Sequence, residues 1–413
     1  MKKKLLAMLL AGAMVLSLAA CGGDKPTGGD KPATDPTKAP VTTGAPEGKT
    51  IKVGLICIGD ENDQGYTFNF IRGKEAATEL LAAEGITVEW VPKFNVGEDS
   101  TCEDANIELA EAGCQLIINN SFGFEDFMLK VAPDYPEIEF IACTNLGSSF
   151  SELKNVHNAF ANIFEGRYLS GVAGGLKMQE MIDSGKIKPE QAVIGYVGAF
   201  PFAEVISGFT SFYLGAKSVC PTATMNVKYV NSWSNATEEA NAATALCDQG
   251  AVLIGQHSDN TTPATAAQAA GAFQCGYNND MIGPAPEASI ISCRIDWAPY
   301  FTYAIKSVVE GKEFAKDWTG GMGEGAVVVT ALNEKIAAKG TAEKLAEVSK
   351  AIADGKVHPF EGPWTGTGLA FGAKDPDTKT MAAGEFYDES DVAGGKTSAP
   401  SFYWIIDGIN VEK

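Results

Sequence analysis

The order of secondary structure is decided by residues 51–91, IKVGLICIGDENDQGYTFNFIRGKEAATELLAAEGITVEWV. The apolar run from Ile51 to Ile58 is rich in residues that favour strands, which predicts a buried strand. From Phe68 to Glu84, Ala and Leu recur at three- and four-residue spacing, which predicts a helix. The stretch Ile86–Val91 predicts the next strand. A strand, a helix and a strand in this order favour a parallel sheet.

The same alternation continues along the chain and then starts again. In the first series, helices are predicted at 102–113 and 124–132, and strands at 116–118 and 136–142. After residues 164–171, strands are predicted at 192–197, 225–230, 252–254 and 273–276, and helices at 203–217, 237–248 and 263–270. Two such series predict two α/β lobes whose parallel sheets are covered on both faces. Because ligands bind beyond the carboxyl ends of such strands, we expect one site in a cleft between the lobes.

The first fifty residues have the composition of an export signal and a linker. Leu5–Leu18 is apolar and follows three lysines, but it is too short to span a bilayer. Leu18-Ala-Ala-Cys21 resembles the lipobox of bacterial lipoproteins, so residues 1–20 are predicted to be a lipoprotein signal peptide and Cys21 the lipidated residue. The alternative is ordinary secretion with an unmodified cysteine. Residues 21–50, polar and rich in Gly, Pro and Thr, predict a disordered tether.

Charge and histidine content argue against two classes of site. Against 32 Lys and Arg stand 52 Asp and Glu, so the chain lacks the basic surface that nucleic acids require and no nucleic-acid partner is expected. The three histidines, at 157, 257 and 358, are far apart in sequence, and no metal site is predicted. The eight cysteines after Cys21 form no CxxC motif, and we expect most of them to be free and buried.

Catalytic motifs are not found. The chain has no GxSxG, and no GxGxxG follows the first strand. The segment Gly395-Lys-Thr397 lacks the glycine that a phosphate-binding loop requires at position 390, which is serine. An exported, tethered protein with two α/β lobes and no catalytic motif is predicted to be a solute receptor, not an enzyme, and no cofactor is expected.

Several segments resemble, in order, those of one family of solute receptors. Asn62–Thr67 is similar to the Asp-x-Gly-Trp-Thr segment of the basic membrane protein (BMP) family of ABC-transporter lipoproteins. Further similar segments are Phe164–Gly171, Phe200–Ile206, Leu214–Ser218, Asn231–Trp233, Gln256–Asp259, Gly276–Met281 and Asp296–Tyr300. The resemblance covers about residues 51–320. The sequence departs from the family at Tyr66, where Trp is commoner, and in the Gly-rich region Phe360–Tyr403.

The resemblance implies a type I periplasmic-binding-protein fold, in which two Rossmann-like lobes with parallel sheets are joined by a hinge. We expect the first lobe to comprise residues 51–157 and about 293–320, and the second 158–292 and about 321–413. The resemblance also implies a monomer, anchored by lipid to the extracytoplasmic face of a bacterial membrane, that captures a purine base or nucleoside and delivers it to an ABC permease.

Three alternative functions stay open at this point. The first is a receptor of the same fold for a sugar or another small metabolite, because the fold does not fix the ligand. The second is an exported nucleoside hydrolase, for which Asp60–Asp63 is the only candidate cation site. The third is a surface adhesin without affinity for small molecules.

Candidate ligand-binding residues follow the predicted strands, because the carboxyl ends of parallel strands meet at the cleft. Aromatic rings would stack on a flat heterocycle, and polar groups would bond its rim. The aromatic candidates are Tyr66, Phe122, Phe124, Phe202, Trp233 and Trp297. The polar candidates are Asp63, Thr67, Glu204, Gln256, His257, Asp259 and Asp280. Each has a structural alternative, such as core packing for the rings, helix capping for Asp63 and a turn for Asp280.

Overall fold

A computed structural model describes residues 48–370, 372–392 and 395–412 of the chain. The predicted signal peptide, Cys21 and nearly all of the predicted tether lie outside the described residues. Within them, no helix combines the length and the apolar character needed to cross a bilayer. The eight cysteines after Cys21 are free, and all of them except Cys247 are buried.

Strands and helices alternate through most of the chain. The strands are β1 (Lys49–Ile56), β2 (Ile86–Lys93), β3 (Leu116–Asn119), β4 (Glu139–Ala142), β5 (Val156–Ala161), β6 (Val193–Gly198), β7 (Thr224–Tyr229), β8 (Leu253–His257), β9 (Phe273–Tyr277), β10 (Ser289–Ile295), β11 (Asp317–Gly320), β12 (Val327–Val329), β13 (Trp364–Gly368), β14 (Asp377–Met381), β15 (Asp391–Val392), β16 (Gly395–Lys396), β17 (Trp404–Ile406) and β18 (Ile409–Val411). The helices are α1 (Tyr66–Ala83), α2 (Ser100–Glu111), α3 (Glu125–Val131), α4 (Leu146–Ser149), α5 (Ile163–Asp183), α6 (Ala203–Val219), α7 (Ala236–Asp248), α8 (Thr262–Ala270), α9 (Ala298–Glu310) and α10 (Thr341–Ala353).

The strands form one large sheet in each of two lobes. In the first lobe the order is β11-β5-β4-β3-β1-β2, and all neighbours are parallel. In the second lobe the order is β12-β10-β9-β8-β6-β7-β18, and only the β10–β12 pair is antiparallel. In each sheet the strand order reverses direction at the first strand, between β1 and β3 in the first lobe and between β6 and β8 in the second. Ligand-binding crevices open at such reversal points in α/β sheets. The predicted two-lobed α/β fold with parallel sheets is confirmed.

The chain passes between the two lobes three times. The passages follow Ala161 at the end of β5, Ile295 at the end of β10 and Gly320 at the end of β11. The first two therefore lie later than the expected boundaries at 157 and 292, because β5 and β10 complete the sheets in which they pair. Three adjacent connections allow the lobes to rotate against each other as a hinge.

Helix α5 was not predicted from the sequence, and its glycines explain why. Gly171, Gly174 and Gly175 interrupt the apolar pattern and lower the helix propensity of the segment. In the structure Gly171 and Gly175 allow α5 and α6 to pack with their backbones in contact: a Cβ at Gly171 would lie 2.0 Å from the carbonyl oxygen of Phe212, and one at Gly175 would lie 2.5 Å from that of Ala216. The core of the second lobe thus depends on residues that have no side chain.

The C-terminal region builds on the second lobe. Strands β14, β13 and β17 form a small antiparallel sheet, and β18 extends the large sheet by pairing in parallel with β7. A cluster of rings, Phe360, Trp364, Phe402 and Trp404, joins this small sheet to the main core. These described residues of the Gly-rich region are therefore packed against the second lobe.

The contact between α5 and α6 gives a prediction on stability. A Cβ at Gly215 would lie 2.1 Å from the carbonyl oxygen of Tyr168, a backbone atom that cannot yield without moving α5. We expect Gly215→Ala to lower the free energy of unfolding by about 1–3 kcal/mol, measured by urea unfolding. Gly323→Ala is the control, because its Cβ would meet only Ala353 at 4.0 Å. Equal unfolding midpoints for the two variants would contradict this account of the packing.

Candidate functional site

A cavity lies between the carboxyl ends of the two large sheets. In this arrangement of the lobes its free volume is about 20 Å³, which is room for about one water molecule. The first lobe contributes Ile58, Tyr66, Ser121, Phe122 and Cys143, which follow β1, β3 and β4. The second lobe contributes Glu204, Trp233, His257, Asp259 and Tyr277, which lie at or after the ends of β6, β7, β8 and β9. Both lobes therefore supply walls of one chamber.

Aromatic rings close one side of the mouth. Phe122 of the first lobe stacks on Phe202 of the second, with ring centroids 5.0 Å apart and planes inclined by 22°. Phe202 stacks in turn on Phe200 at 5.1 Å, and Trp233 meets Phe200 edge-on. The rings form a continuous apolar rim that crosses from lobe to lobe.

Glu98 adds a polar bridge beside these rings. Its Oε1 accepts hydrogen bonds from the Ser121 hydroxyl at 2.7 Å and from the backbone N–H of Gly123 at 2.9 Å. From the other lobe, Trp233 donates its indole N–H to the same oxygen at 3.3 Å. One carboxylate thus holds a loop of its own lobe and a ring of the opposite lobe.

The buried His257 and the partly buried Glu204 form a pair in the second-lobe wall. His257 Nε2 lies 3.1 Å from Glu204 Oε1. Burial, together with the nearby positive charge of Arg167, lowers the pKa of His257 to about 4. The imidazole is therefore neutral at pH 7, and its Nε2–H donates to the Glu204 carboxylate. Glu204 then presents an acceptor-rich group to the chamber.

Arg167 supplies a buried positive charge behind this wall. Its guanidinium lies over the ring of Tyr277, with the central carbon 3.4 Å from the ring centroid, and Nη1 donates to the hydroxyl of Tyr196 at 3.0 Å. No carboxylate forms an ion pair with Arg167 in the described part of the chain. The cation–π contact and the nearby Glu204 offset the cost of burying this charge.

Asp259 is the second carboxyl group of the chamber, and it is buried. Its Oδ1 accepts a hydrogen bond from Asn278 Nδ2 at 2.9 Å. Burial, with the negative charges of Asp63, Glu239 and Glu204 nearby, raises the pKa of Asp259 well above its usual range. A hydrogen-bond donor or a positive group placed against this carboxyl would stabilise its charged form.

Tyr66 is held in the first-lobe wall by contacts at both its hydroxyl and its ring. Its hydroxyl donates to the carbonyl oxygen of Cys143 at 3.2 Å, and its ring meets Phe70 edge-on with centroids 5.0 Å apart. Burial raises the pKa of Tyr66, so the hydroxyl stays protonated. The ring is therefore fixed in orientation and lines the chamber.

The structure brings six of the sequence-predicted residues into the chamber wall and one to its rim. The six are Tyr66, Phe122, Glu204, Trp233, His257 and Asp259, and Phe202 stacks on Phe122 at the mouth. The other candidates, Asp63, Thr67, Phe124, Gln256, Asp280 and Trp297, are not among the lining residues.

Two of the residues outside the wall serve the start of α1. Both carboxylate oxygens of Asp63 accept from backbone N–H groups, those of Gly65, Thr67 and Phe68, at 2.8–3.1 Å. This is the capping alternative considered for Asp63. The buried Thr67 hydroxyl oxygen accepts from the backbone N–H of Gly59 at 3.1 Å and so ties α1 to the loop after β1.

Two polar candidates of the second lobe are also used locally. Gln256 lies within β8, donates from Nε2 to the carbonyl oxygens of Ser258 and Asn260, and accepts from Gln274. Asp280 accepts from the backbone N–H of Ile282 at 2.9 Å, which is the turn alternative.

Two aromatic candidates are core residues. Phe124 is fully buried in the cluster beneath α2 and α3. Trp297 is fully buried against Phe70 and Phe301, with centroids 4.3 and 6.0 Å away. Both follow strands in sequence, but the chain turns their rings under the neighbouring helices, so neither reaches the chamber.

Four lining residues are not among those predicted from the sequence: Ile58, Ser121, Cys143 and Tyr277. Each lies at the last position of a strand or within two residues after it. That position was the available signal, because such residues meet at the cleft whatever their side chain. Three of them are small or aliphatic side chains, which carry no chemical signal of a binding site in the sequence.

Two α/β lobes, three connecting segments and one interlobe chamber define the class of solute-binding proteins. Solved structures share this fold. A solute-binding protein of an ABC transporter system from Aeropyrum pernix K1 matches with a TM-score of 0.62 and 17% identity, over 76% of this chain and 94% of that one. A solute-binding protein from Conexibacter woesei matches with a TM-score of 0.58 and 20% identity, over 75% of this chain and 98% of that one.

The chain belongs to the Bmp family of PnrA-like ABC transporter substrate-binding proteins, whose model matches residues 50–359. The predicted family membership is confirmed, and proteins of this kind act outside the cytoplasm. The chain is 34% identical to a purine-binding protein of Brucella abortus (strain 2308), over 83% of this chain and 90% of that one. It is 30% identical to a putative ABC transporter glucose-binding protein of Haloferax volcanii, over 68% of this chain and 67% of that one.

The lowered pKa of His257 gives a prediction on pH dependence. Because the folded-state value is about 4 against an ordinary 6.5, the unfolded chain takes up a proton at higher pH than the folded one. Stability from this group is therefore present above pH 6.5 and is lost as the pH falls towards 4. Relative to His257→Gln, the wild type should lose on the order of 3 kcal/mol of unfolding free energy between pH 7 and pH 4.

Urea unfolding of both proteins across this pH range checks the prediction. Comparing the two proteins cancels the opposite trend from buried carboxyls such as Asp259, whose raised pKa favours the folded state at low pH. If the unfolding free energies of the two proteins changed in parallel with pH, His257 would not be held neutral by the fold.

Proposed function

We propose that the protein is a lipid-anchored receptor that captures a purine base or purine nucleoside in the interlobe chamber and delivers it to an ABC permease. The observation that carries the ligand class is the combination of aromatic rings with two acceptor groups, the partly buried Glu204 and the buried Asp259. The similarity to a relative named as purine-binding supports it. The lipid anchor on Cys21 and the monomeric state are part of the same proposal.

The chemistry of the wall matches a flat, uncharged ligand that carries N–H groups. Tyr66 and Phe122 offer ring surfaces, and stacking contributes about 1–3 kcal/mol per ring. Glu204 and Asp259 accept hydrogen bonds from ring or amino N–H groups at the ligand's edge. No Lys or Arg side chain lines the chamber among the residues described, so a phosphorylated ligand has no cation to meet there.

Capture proceeds by closure of the hinge. Because each wall comes from a different lobe, a ligand that touches both walls favours the closed form over the open one. Glu98–Trp233 and Phe122–Phe202 are contacts of that closed form at the mouth. A permease would distinguish loaded from empty receptor by this change, and the ligand leaves unaltered.

Thermal-shift and calorimetric titration of the purified protein test the proposal. The ligand set is adenine, hypoxanthine, guanosine, inosine and glucose, with glucose included because one relative is named as glucose-binding. We expect a purine to raise the unfolding midpoint in proportion to the logarithm of its concentration, and glucose not to. A shift with glucose alone would favour the sugar receptor instead. Release of hypoxanthine from inosine would establish a hydrolase.

Asp259 gives the residue-level prediction of this function. Asp259→Asn removes a carboxylate that would accept an N–H from the ligand and leaves a weaker, neutral acceptor. We expect the dissociation constant of the best purine to rise about 10- to 100-fold, measured by calorimetry. Glu238→Gln is the matched control, because Glu238 is an exposed acid of the same lobe, at the start of α7. Unchanged affinity in Asp259→Asn would remove this carboxyl from the proposed binding site.

A further inference from the structure

One face of α1 touches the second lobe beside the chamber. Gly65, Asn69 and Arg72 are four and three residues apart, so they lie along one side of the helix and its N-terminus. Opposite them are the loops that follow β8 and β9. This contact lies next to the chamber without being part of its wall, except at Asp259, which belongs to both.

Gly65 makes the closest approach between the lobes at this face. A Cβ at this position would lie 2.5 Å from the Cβ and the carbonyl oxygen of Asp259 and 2.6 Å from its Cα. Glycine is therefore needed here for space, and the space is needed only when the lobes are together.

A chain of buried amides continues from the same carboxyl group. Asn278 donates from Nδ2 to Asp259 Oδ1 at 2.9 Å and accepts at Oδ1 from Asn69 Nδ2 at 2.8 Å. Asn69 and Asn278 are fully buried. Because both ends of the Asn278 amide are bonded, its orientation is fixed, and one line of hydrogen bonds connects α1 of the first lobe to Asp259.

A second, more exposed pair of contacts flanks this line. Arg72 donates from Nη2 to Asn279 Oδ1 at 2.8 Å, and Asn279 donates from Nδ2 to Gln64 Oε1 at 2.7 Å. These bonds also join the first lobe to the loop after β9. They add to the contact but do not reach the chamber.

We propose that Gly65, Asn69 and Asn278 form a closure latch, in which Asp259 couples occupancy of the chamber to the contact between the lobes. The proposal rests on the proposed function only in requiring that a ligand bridge the two lobes. These three are positioning residues: they stabilise the closed form and do not touch the ligand. Weakening the latch lowers the population of the closed form, and the apparent affinity falls by the same factor.

The test compares Gly65→Ala and Asn278→Gly with the wild type. Glycine at 278 keeps the left-handed backbone, since φ there is 66°, and removes only the amide. Gly283→Ala is the control, because a Cβ there meets no atom within 4 Å. The readouts are purine association and dissociation rates, the radius of gyration by small-angle scattering with and without purine, and the ligand-free unfolding midpoint.

We expect Gly65→Ala to weaken binding of the best of adenine, hypoxanthine, guanosine and inosine at least tenfold, mainly through faster dissociation. With saturating purine, the radius of gyration of Gly65→Ala should exceed that of the wild type. Without ligand, the unfolding midpoint of Gly65→Ala should equal that of Gly283→Ala. Asn278→Gly should shift the dissociation rate and the radius in the same direction. Wild-type dissociation rates and radii in Gly65→Ala would overturn the latch.

A failure of the proposed function has a different signature. If no purine binds the wild type, the ligand assignment fails, and the latch is judged by the ligand-free radius of gyration alone. A larger radius in Gly65→Ala than in the wild type and Gly283→Ala would then support the latch. Equal radii in all three proteins would overturn it.

Discussion

The two parallel sheets face each other with their carboxyl ends, and the remaining features of the molecule depend on this constraint. All ten lining residues of the chamber lie at or after the ends of strands, or at the start of the helix that follows one. Parallel strands with crossover helices bring such positions together at one edge of each sheet. Three connections then hold the two edges opposite one another, so the chamber forms between units that each have their own core.

Burial at this edge decides the charge of the site. Burial, together with the positive charge of Arg167 against the ring of Tyr277, lowers the pKa of His257 and keeps it neutral beside Glu204. Asp259, in contrast, lies among other acids and has a raised pKa. The protonation states of the second-lobe wall therefore depend on neighbours that do not line the chamber. The wall presents hydrogen-bond acceptors, and no cation of the described part of the chain lies beside them at the chamber surface. Such a wall suits a neutral donor-bearing ligand better than an anion.

The family model matches up to residue 359, and none of the described residues that line the chamber lies after that point. The described residues after 359 form the small sheet and β18 of the second lobe. Glu389 in this region is buried and accepts from Ser207 of α6 at 2.9 Å, whereas Ser398 is bonded to Asn158 of the first lobe at 2.9 Å. These residues therefore contact both lobes away from the chamber.

The sequence by itself determined the alternation of strands and helices, the two lobes, the family and seven of the residues in or beside the chamber, because periodicity and position after a strand are local properties. It did not identify α5, whose glycines hide a helical pattern that only the contact with α6 requires. It also could not separate Asp63, which caps α1, from Asp259, which faces the chamber, since both are acids after strands. Only the tertiary structure decided these cases, because the direction of a side chain after a strand depends on which groups from distant parts of the chain are there to bond or pack against it.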